Sequence, residues 1–230
     1  MEKGGMNISK TKSLISKIFW GIILALVIFF FGKTAIFEYN YYREKEGSTR
    51  AASDVPTDSE EVDETEVTEE ERAEWTVPAD QPRYLTIEKL GVRNARIRPV
   101  GRKTSGELDV PYNIFDVGWY NSSGKPGEGR TMLIDGHNGG PNVVGVFKYL
   151  PELTEGDFIV VERGDGIIFK YSVVENNTIP LSESDSYMST ALTSPEPRKE
   201  ALTLITCTGE WSQTQQTYLS RQFTRAVLVN

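Results

Sequence analysis

The chain has 230 residues but only one cysteine, Cys207, and one histidine, His137. A thiolate attacks carbonyl carbon well, but a free thiol with a pKa of about 8.5 is mostly protonated at neutral pH, so a positive or proton-exchanging neighbour is needed. An imidazole can then protonate a departing amine. Arg221, 14 positions after the cysteine, could supply fixed donors and positive charge to a developing oxyanion. One Cys, one His and one Arg are therefore a sufficient set for acyl transfer. Sequence order alone does not bring them together. Each also has a plainer reading: Cys207 as a small buried hydrophobe, His137 as a turn residue, Arg221 as a solvated charge.

The elements around these residues are strands. Cys207 ends the run Ala201-Leu-Thr-Leu-Ile-Thr, and Thr208-Gly209 reads as a turn. His137 follows Thr131-Met-Leu-Ile-Asp and precedes Asn138-Gly139-Gly140, while Arg221 opens the strand that runs through Phe223 to Val229. All three fall at strand ends beside loops, where sites on rigid β scaffolds tend to lie. Alternating or β-branched runs recur at Tyr84 to Val92, Ala95 to Val100, Phe158 to Val161 and Ile167 to Val174, separated by Gly91, Gly101, Pro126-Gly127, Gly156, Gly164 and Gly166. Short strands with turn signals between them predict an all-β barrel or sandwich. Only Val143 to Leu150 and roughly Ser186 to Leu192 have the pattern of short helices.

The front of the chain is built differently. Residues 1–17 carry Lys3, Lys10, Lys12 and Lys17, and residues 18–37 form an apolar run in which only Lys33 is charged. About 20 such residues match a bilayer core, Lys33 can snorkel, and the preceding lysines place the N-terminus in the cytoplasm. Trp20, Tyr39, Tyr41 and Tyr42 sit where interfacial aromatics are expected. No small-residue cleavage signal follows, so an uncleaved single-pass anchor is the expectation, with everything after it outside the cell. Residues 38–80 then read as an acidic, disordered linker, with 11 Asp/Glu against Arg72 alone between Asp54 and Glu74. Residues 81–230 form the folded domain.

The net charge of −8 is uneven: residues 1–80 hold nine Lys/Arg against 16 Asp/Glu, and residues 81–230 hold 16 against 17. The acidity belongs to the front, and no basic stripe points to nucleic acid. One Cys and one His are too few for an internal disulfide or a zinc site.

Several motifs resemble the sortase family. Thr203-Leu-Ile-Thr-Cys207 looks like its TLxTC signature, Leu133-Ile-Asp-Gly-His137 resembles its strand into a Gly-His motif, and Arg221-Gln-Phe-Thr-Arg-Ala226 resembles the strand that begins with its arginine. The order His, Cys about 70 residues on, then Arg is also like the family's. Further similarity lies in Leu85 to Val92, Val117-Gly-Trp-Tyr, Pro126-Gly-Glu-Gly, Phe147 to Leu153 and Gly156-Asp157, so the resemblance covers about 150 residues. Papain-like peptidases place Cys before His, and the Ser-His-Gly-Cys signature of peptidoglycan-crosslinking enzymes is absent.

The resemblance implies a closed β-barrel of about seven or eight strands with short helices, preceded by one transmembrane helix. It implies a cysteine transpeptidase that cleaves an LPxTG-like sorting motif through a thioacyl-enzyme. Cys207 would be the nucleophile, His137 the proton donor, Arg221 the oxyanion stabiliser and Thr206 a substrate contact. The partners would be secreted proteins bearing a C-terminal sorting signal and an amine acceptor, either a peptidoglycan precursor or a pilin lysine. Leu181 to Lys199, with Pro195 and Pro197, corresponds to the loop that helps choose the motif. No cofactor is implied, although calcium serves some members and Glu152, Glu155 and Asp157 are close in sequence. Arg225 lies on the same face of its strand as Arg221 and competes with it for the arginine's role. The alternative is an inactive sortase-like extracellular binding module.

Overall fold

The computed structural model describes residues 62–104 and 106–229. Segment 1–17, the apolar run 18–37 and linker residues 38–61 lie outside the described residues; among the described residues no helix is long and apolar enough to cross a membrane. Eight strands follow one another: β1 (Pro82–Ile87), β2 (Val92–Val100), β3 (Val117–Tyr120), β4 (Thr131–Gly136), β5 (Phe158–Arg163), β6 (Ile168–Pro180), β7 (Ala201–Ser212) and β8 (Thr217–Leu228). They close into a barrel in the order β1-β2-β3-β4-β7-β8-β6-β5, which leaves no free edge. β2–β3 and β4–β7 pair in parallel and the other six pairs are antiparallel.

Strand alternation sorts the side chains. Trp119, Met132, Ile134, Tyr171, Leu202, Leu204 and Ala226 fill the interior. The residues between them face outward, where Leu133, Ile205 and Phe223 are covered by helix α2 (Leu181–Ala191) through Ala191, Tyr187 and Met188. Glu200 locks the barrel wall from inside: its buried carboxylate accepts from Tyr171 Oη at 2.7 Å and from the amides of Gly127 and Gly129 at 3.0 and 2.8 Å.

Three expectations change. Residues 62–80, read as the end of the extended linker, are ordered against the barrel. A six-residue helix, α1 (Glu69–Glu74), starts with a capping box in which Thr68 and Glu71 satisfy each other's amides. Val67 is buried, the Arg72 carbonyl accepts from the Tyr84 hydroxyl, and the Trp75 carbonyl accepts from Arg83 Nε at 2.8 Å. Acidic composition hid this segment because its carboxylates serve as caps and first-turn charges. Secondly, α2 begins at Leu181, five residues before the expected start, because Pro180 holds the extended conformation that opens a helix. Thirdly, Val144 bridges back to Gly139, residues 146–149 form a turn and only Leu150–Glu152 a 3-10 turn. The Gly145 amide donates to the Asn138 carbonyl at 2.9 Å, and a Cβ on Gly145 would collide with the His137 carbonyl, so the chain folds back on itself instead of coiling.

Candidate active site

The parallel β4–β7 ladder pairs Thr131 with Ala201 and continues in step to Asp135 with Ile205. The ladder ends there: β4 stops at Gly136, so His137 is the first residue beyond it, while β7 continues through Cys207. The Thr206 hydroxyl ties the strands there, donating to the Gly136 carbonyl at 2.8 Å. On the other side of β7, Cys207 is the direct cross-strand partner of Arg221. Cys207 and Arg221 thus face each other across β7 and β8, and His137 leaves the end of β4 that runs parallel to β7. Alternation then sets Cys207 and Arg221 on the outer face, the side covered further along by α2.

The strand ends differ from expectation. β7 does not stop at Cys207 but runs on to Ser212, and β8 begins at Thr217. Between the pairs Thr208–Ser220 and Trp211–Tyr218, β7 advances three residues against two on β8, and Gly209 takes φ +84°. This is a β-bulge with glycine in the left-handed conformation. Cys207 is therefore held inside the β7–β8 ladder and stands two residues before the bulge, which is more rigid than a strand terminus.

His137 is buried, and its Nε2 lies 2.7 Å from the Pro111 carbonyl, to which it donates. Cys207 is half-buried. The Arg221 guanidinium bonds to the Tyr218 and Ser220 carbonyls at 3.0 and 3.1 Å and to Thr217 Oγ1 at 3.3 Å, all on its own strand. Arg225 is engaged elsewhere. It pairs with Glu175 at 2.6 Å and donates to the carbonyls of Thr190 and Thr193 at 3.1 and 2.7 Å, at the C-terminal end of α2. Its cross-strand partner is Thr203, four residues from Cys207. Thr206 shares the parity of Leu202 and Leu204 and faces away from the side of Cys207.

Sequence reasoning passed over Asp135. Its carboxyl, two residues before His137, is buried, leans over Gly118 where a Cβ would collide with it, and has no hydrogen-bond partner among the described residues. Burial, with Asp109 nearby adding to it, pushes the carboxyl well above the usual range. The available signal was an acid inside the apolar run Thr-Met-Leu-Ile. Of the acids considered for calcium, Asp157 already accepts from Lys89 at 2.6 Å and from Thr154. Among the described residues no group of three or more His, Cys, Asp or Glu side chains converges as a metal site.

A family model described as the Sortase domain matches residues 85–229. The chain belongs to the sortase family. No curated protein matches it at a significant level. Among solved structures, this sortase is similar to sortase C-1 from Actinomyces oris, at 20% identity over 82% of this chain and 95% of that one, with a TM-score of 0.50. It is also similar to the sortase D5 transpeptidase of Clostridium perfringens (23% identity, 71% and 90% covered, TM-score 0.46) and to the pilus-related sortase C of Group B Streptococcus (17%, 84% and 91%, 0.49). At these identities the likeness concerns the fold. The closed mixed barrel agrees with the likeness to sortase C-1.

Proposed function

We propose that this sortase is an active cysteine transpeptidase, with Cys207 as nucleophile, His137 as acid and base, and Arg221 as oxyanion stabiliser. The observation that supports the reading is that Cys207 pairs directly with Arg221 across β7 and β8, while His137, the chain's single histidine, follows the end of β4 that the Thr206 hydroxyl ties to β7. The Cys207 thiolate attacks the Thr carbonyl of an LPxTG-like motif, forming a C–S bond. The Thr–Gly C–N bond breaks as His137 gives its proton to the leaving amine. An incoming amine then attacks the thioester and loses a proton to His137, and the thiol is released. Arg221 donors hold the negative oxygen in both tetrahedral states. The amine belongs to a cell-wall precursor or a pilin lysine. The apolar run 18–37 serves as the anchor, with the barrel outside the membrane.

The test is mass spectrometry on residues 62–230 with a panel of sorting peptides, with and without amine acceptors. A thioacyl adduct on Cys207 that converts to ligated product supports the reading. A Cys207→Ala variant that still cleaves and ligates the same peptide would sink it.

A further inference from the structure

The residues just ahead of the barrel reach both loops that flank His137. Asp63 makes a parallel bridge to Asn113: its amide donates to the Tyr112 carbonyl and its carbonyl accepts from the Ile114 amide, both at 2.9 Å. Asn113 Nδ2 returns two bonds, to Asp63 Oδ2 at 3.1 Å and to the Thr65 carbonyl at 2.9 Å. That stitch fixes the loop two residues after Pro111, whose carbonyl receives His137 Nε2. Successive residues of an extended segment point to opposite sides, so Glu64 reaches the other loop. Its Oε1 accepts from the Asn142 amide at 2.8 Å and the Val143 amide at 3.3 Å, and its Oε2 accepts from Asn142 Nδ2 at 2.7 Å.

The turn held by Glu64 is the one that leads away from His137. The Gly140 amide donates to the Val143 carbonyl, the Gly145 amide to the Asn138 carbonyl, and the Phe147 amide to the His137 carbonyl at 3.0 Å. Displacing 142–143 therefore pulls on the backbone of His137 itself. Gly140 records the closeness: a Cβ there would collide with Glu64 Oε1 and come within 2.9 Å of Ile114 Cδ1. Three bonds to one carboxylate from a turn of this kind are charge-assisted and stronger than neutral ones.

We propose that Glu64 is a positioning residue for the transpeptidation: with Asp63 it clamps the two loops that aim the His137 ring, so the segment before the barrel is part of the working site. The proposal rests on the reading of His137 as acid and base. Because a misplacement of about 1 Å at a reacting group can cost up to ~100-fold in rate, removal of the clamp should be felt in kcat more than in KM.

The experiment compares wild-type full chain with Glu64→Ala, Glu64→Gln, Gly140→Ala and the exposed-surface control Glu70→Ala, in peptide turnover and in the NMR signal of the imidazole Cε1–H, which a single histidine makes unambiguous. Glu64→Ala should lower kcat about tenfold or more with KM within about twofold, and shift or broaden the imidazole signal. Glu64→Gln, which keeps an acceptor for both amides, should recover most of the rate. Gly140→Ala should reproduce the defect in the wild-type background and cost less when Glu64 is already alanine. Glu70→Ala should match wild type. Turnover within twofold of wild type for Glu64→Ala, with an unchanged imidazole signal, overturns the proposal. So does a defect that tracks a fall in melting temperature and is equal in the glutamine variant. If wild type acylates no peptide, the transpeptidase reading fails on its own, and the imidazole signal across the same variants still decides whether Glu64 sets the ring.

Discussion

Replacing Arg225 with methionine, and separately Arg221 with methionine, should give opposite phenotypes. Methionine keeps much of the aliphatic stem in each case. At Arg225 the substitution removes the contact to Glu175, whose partner side chain is 6% exposed while Glu175 itself is 37% exposed. It also removes a charged donor from the Thr190 carbonyl, which keeps the Thr193 amide at 3.0 Å, and from the Thr193 carbonyl, both at the end of α2. Charged hydrogen bonds contribute about 1.5–3 kcal/mol each. The half-open Glu175 puts that pair at the low end, and a cation at a helix C-terminus adds about 0.3–1 kcal/mol. The sum is about 4 kcal/mol. For a domain of this size 1 kcal/mol moves Tm by about 2–4 °C, so the expected fall is roughly 10–15 °C. At Arg221 the lost bonds run to its own half-buried strand end, and about 1 kcal/mol is at stake. Turnover, however, should fall about 100-fold or more, the usual cost of one oxyanion donor. The assay is thermal unfolding of both variants beside peptide ligation at 20 °C below the lower Tm. An Arg225→Met protein melting within 2 °C of wild type, or an Arg221→Met protein that ligates normally, would refute the assignment of the two arginines.

The remaining predictions concern the frame around the site. A protein starting at residue 81 should be less stable than one starting at residue 62 by roughly 4 kcal/mol in denaturant titration, because it loses buried Val67 and the partners of Tyr84 and Arg83. Equal midpoints would show that 62–80 contributes nothing. Asp135 is held neutral by burial, so its folded-state pKa lies above the unfolded one. The stability it contributes is complete below the unfolded value near pH 4 and is lost as pH rises through the folded value. The stability gap between Asp135→Asn and wild type should therefore widen in favour of the variant as pH climbs from 4, and a flat gap would contradict this. Glu200→Ala should cost about 3 kcal/mol in chemical unfolding, since two amides and the Tyr171 hydroxyl lose their buried acceptor.

Much of the barrel was legible because period-2 alternation and glycine punctuation are local signals, as at Ile97 to Val100 and Phe158 to Val161. Cys207 and His137 were legible through scarcity, and their neighbours carried the family motifs. Register was not legible: nothing in Thr131-Met-Leu-Ile says it lies parallel to Ala201-Leu-Thr-Leu, and that pairing is what sets the end of β4, just before His137, beside the strand that carries Cys207. Nor was the bulge at Gly209, where a glycine that reads as a turn instead lets β7 continue. The segment 62–80 was misread because composition averages over residues. The Thr68–Glu71 box and the Glu64 carboxylate act one at a time, against partners as far as 79 positions away.

The order of pairing also bears on how the chain acquires its site. β7 lies between β4 and β8, and β4 pairs with it in parallel across about 70 positions of sequence. Parallel, distant pairings of this kind form late and slowly, because the loop entropy must be lost before the contacts reward it. A chain that has made only its β1–β2 and β5–β6 hairpins has a thiol, an imidazole and a guanidinium with no fixed relation to one another. On the proposed reading the site is therefore completed at two ranges: the local β7–β8 hairpin sets Arg221 against Cys207, and the end of β4 that leads into His137 arrives only with the distant parallel pairing.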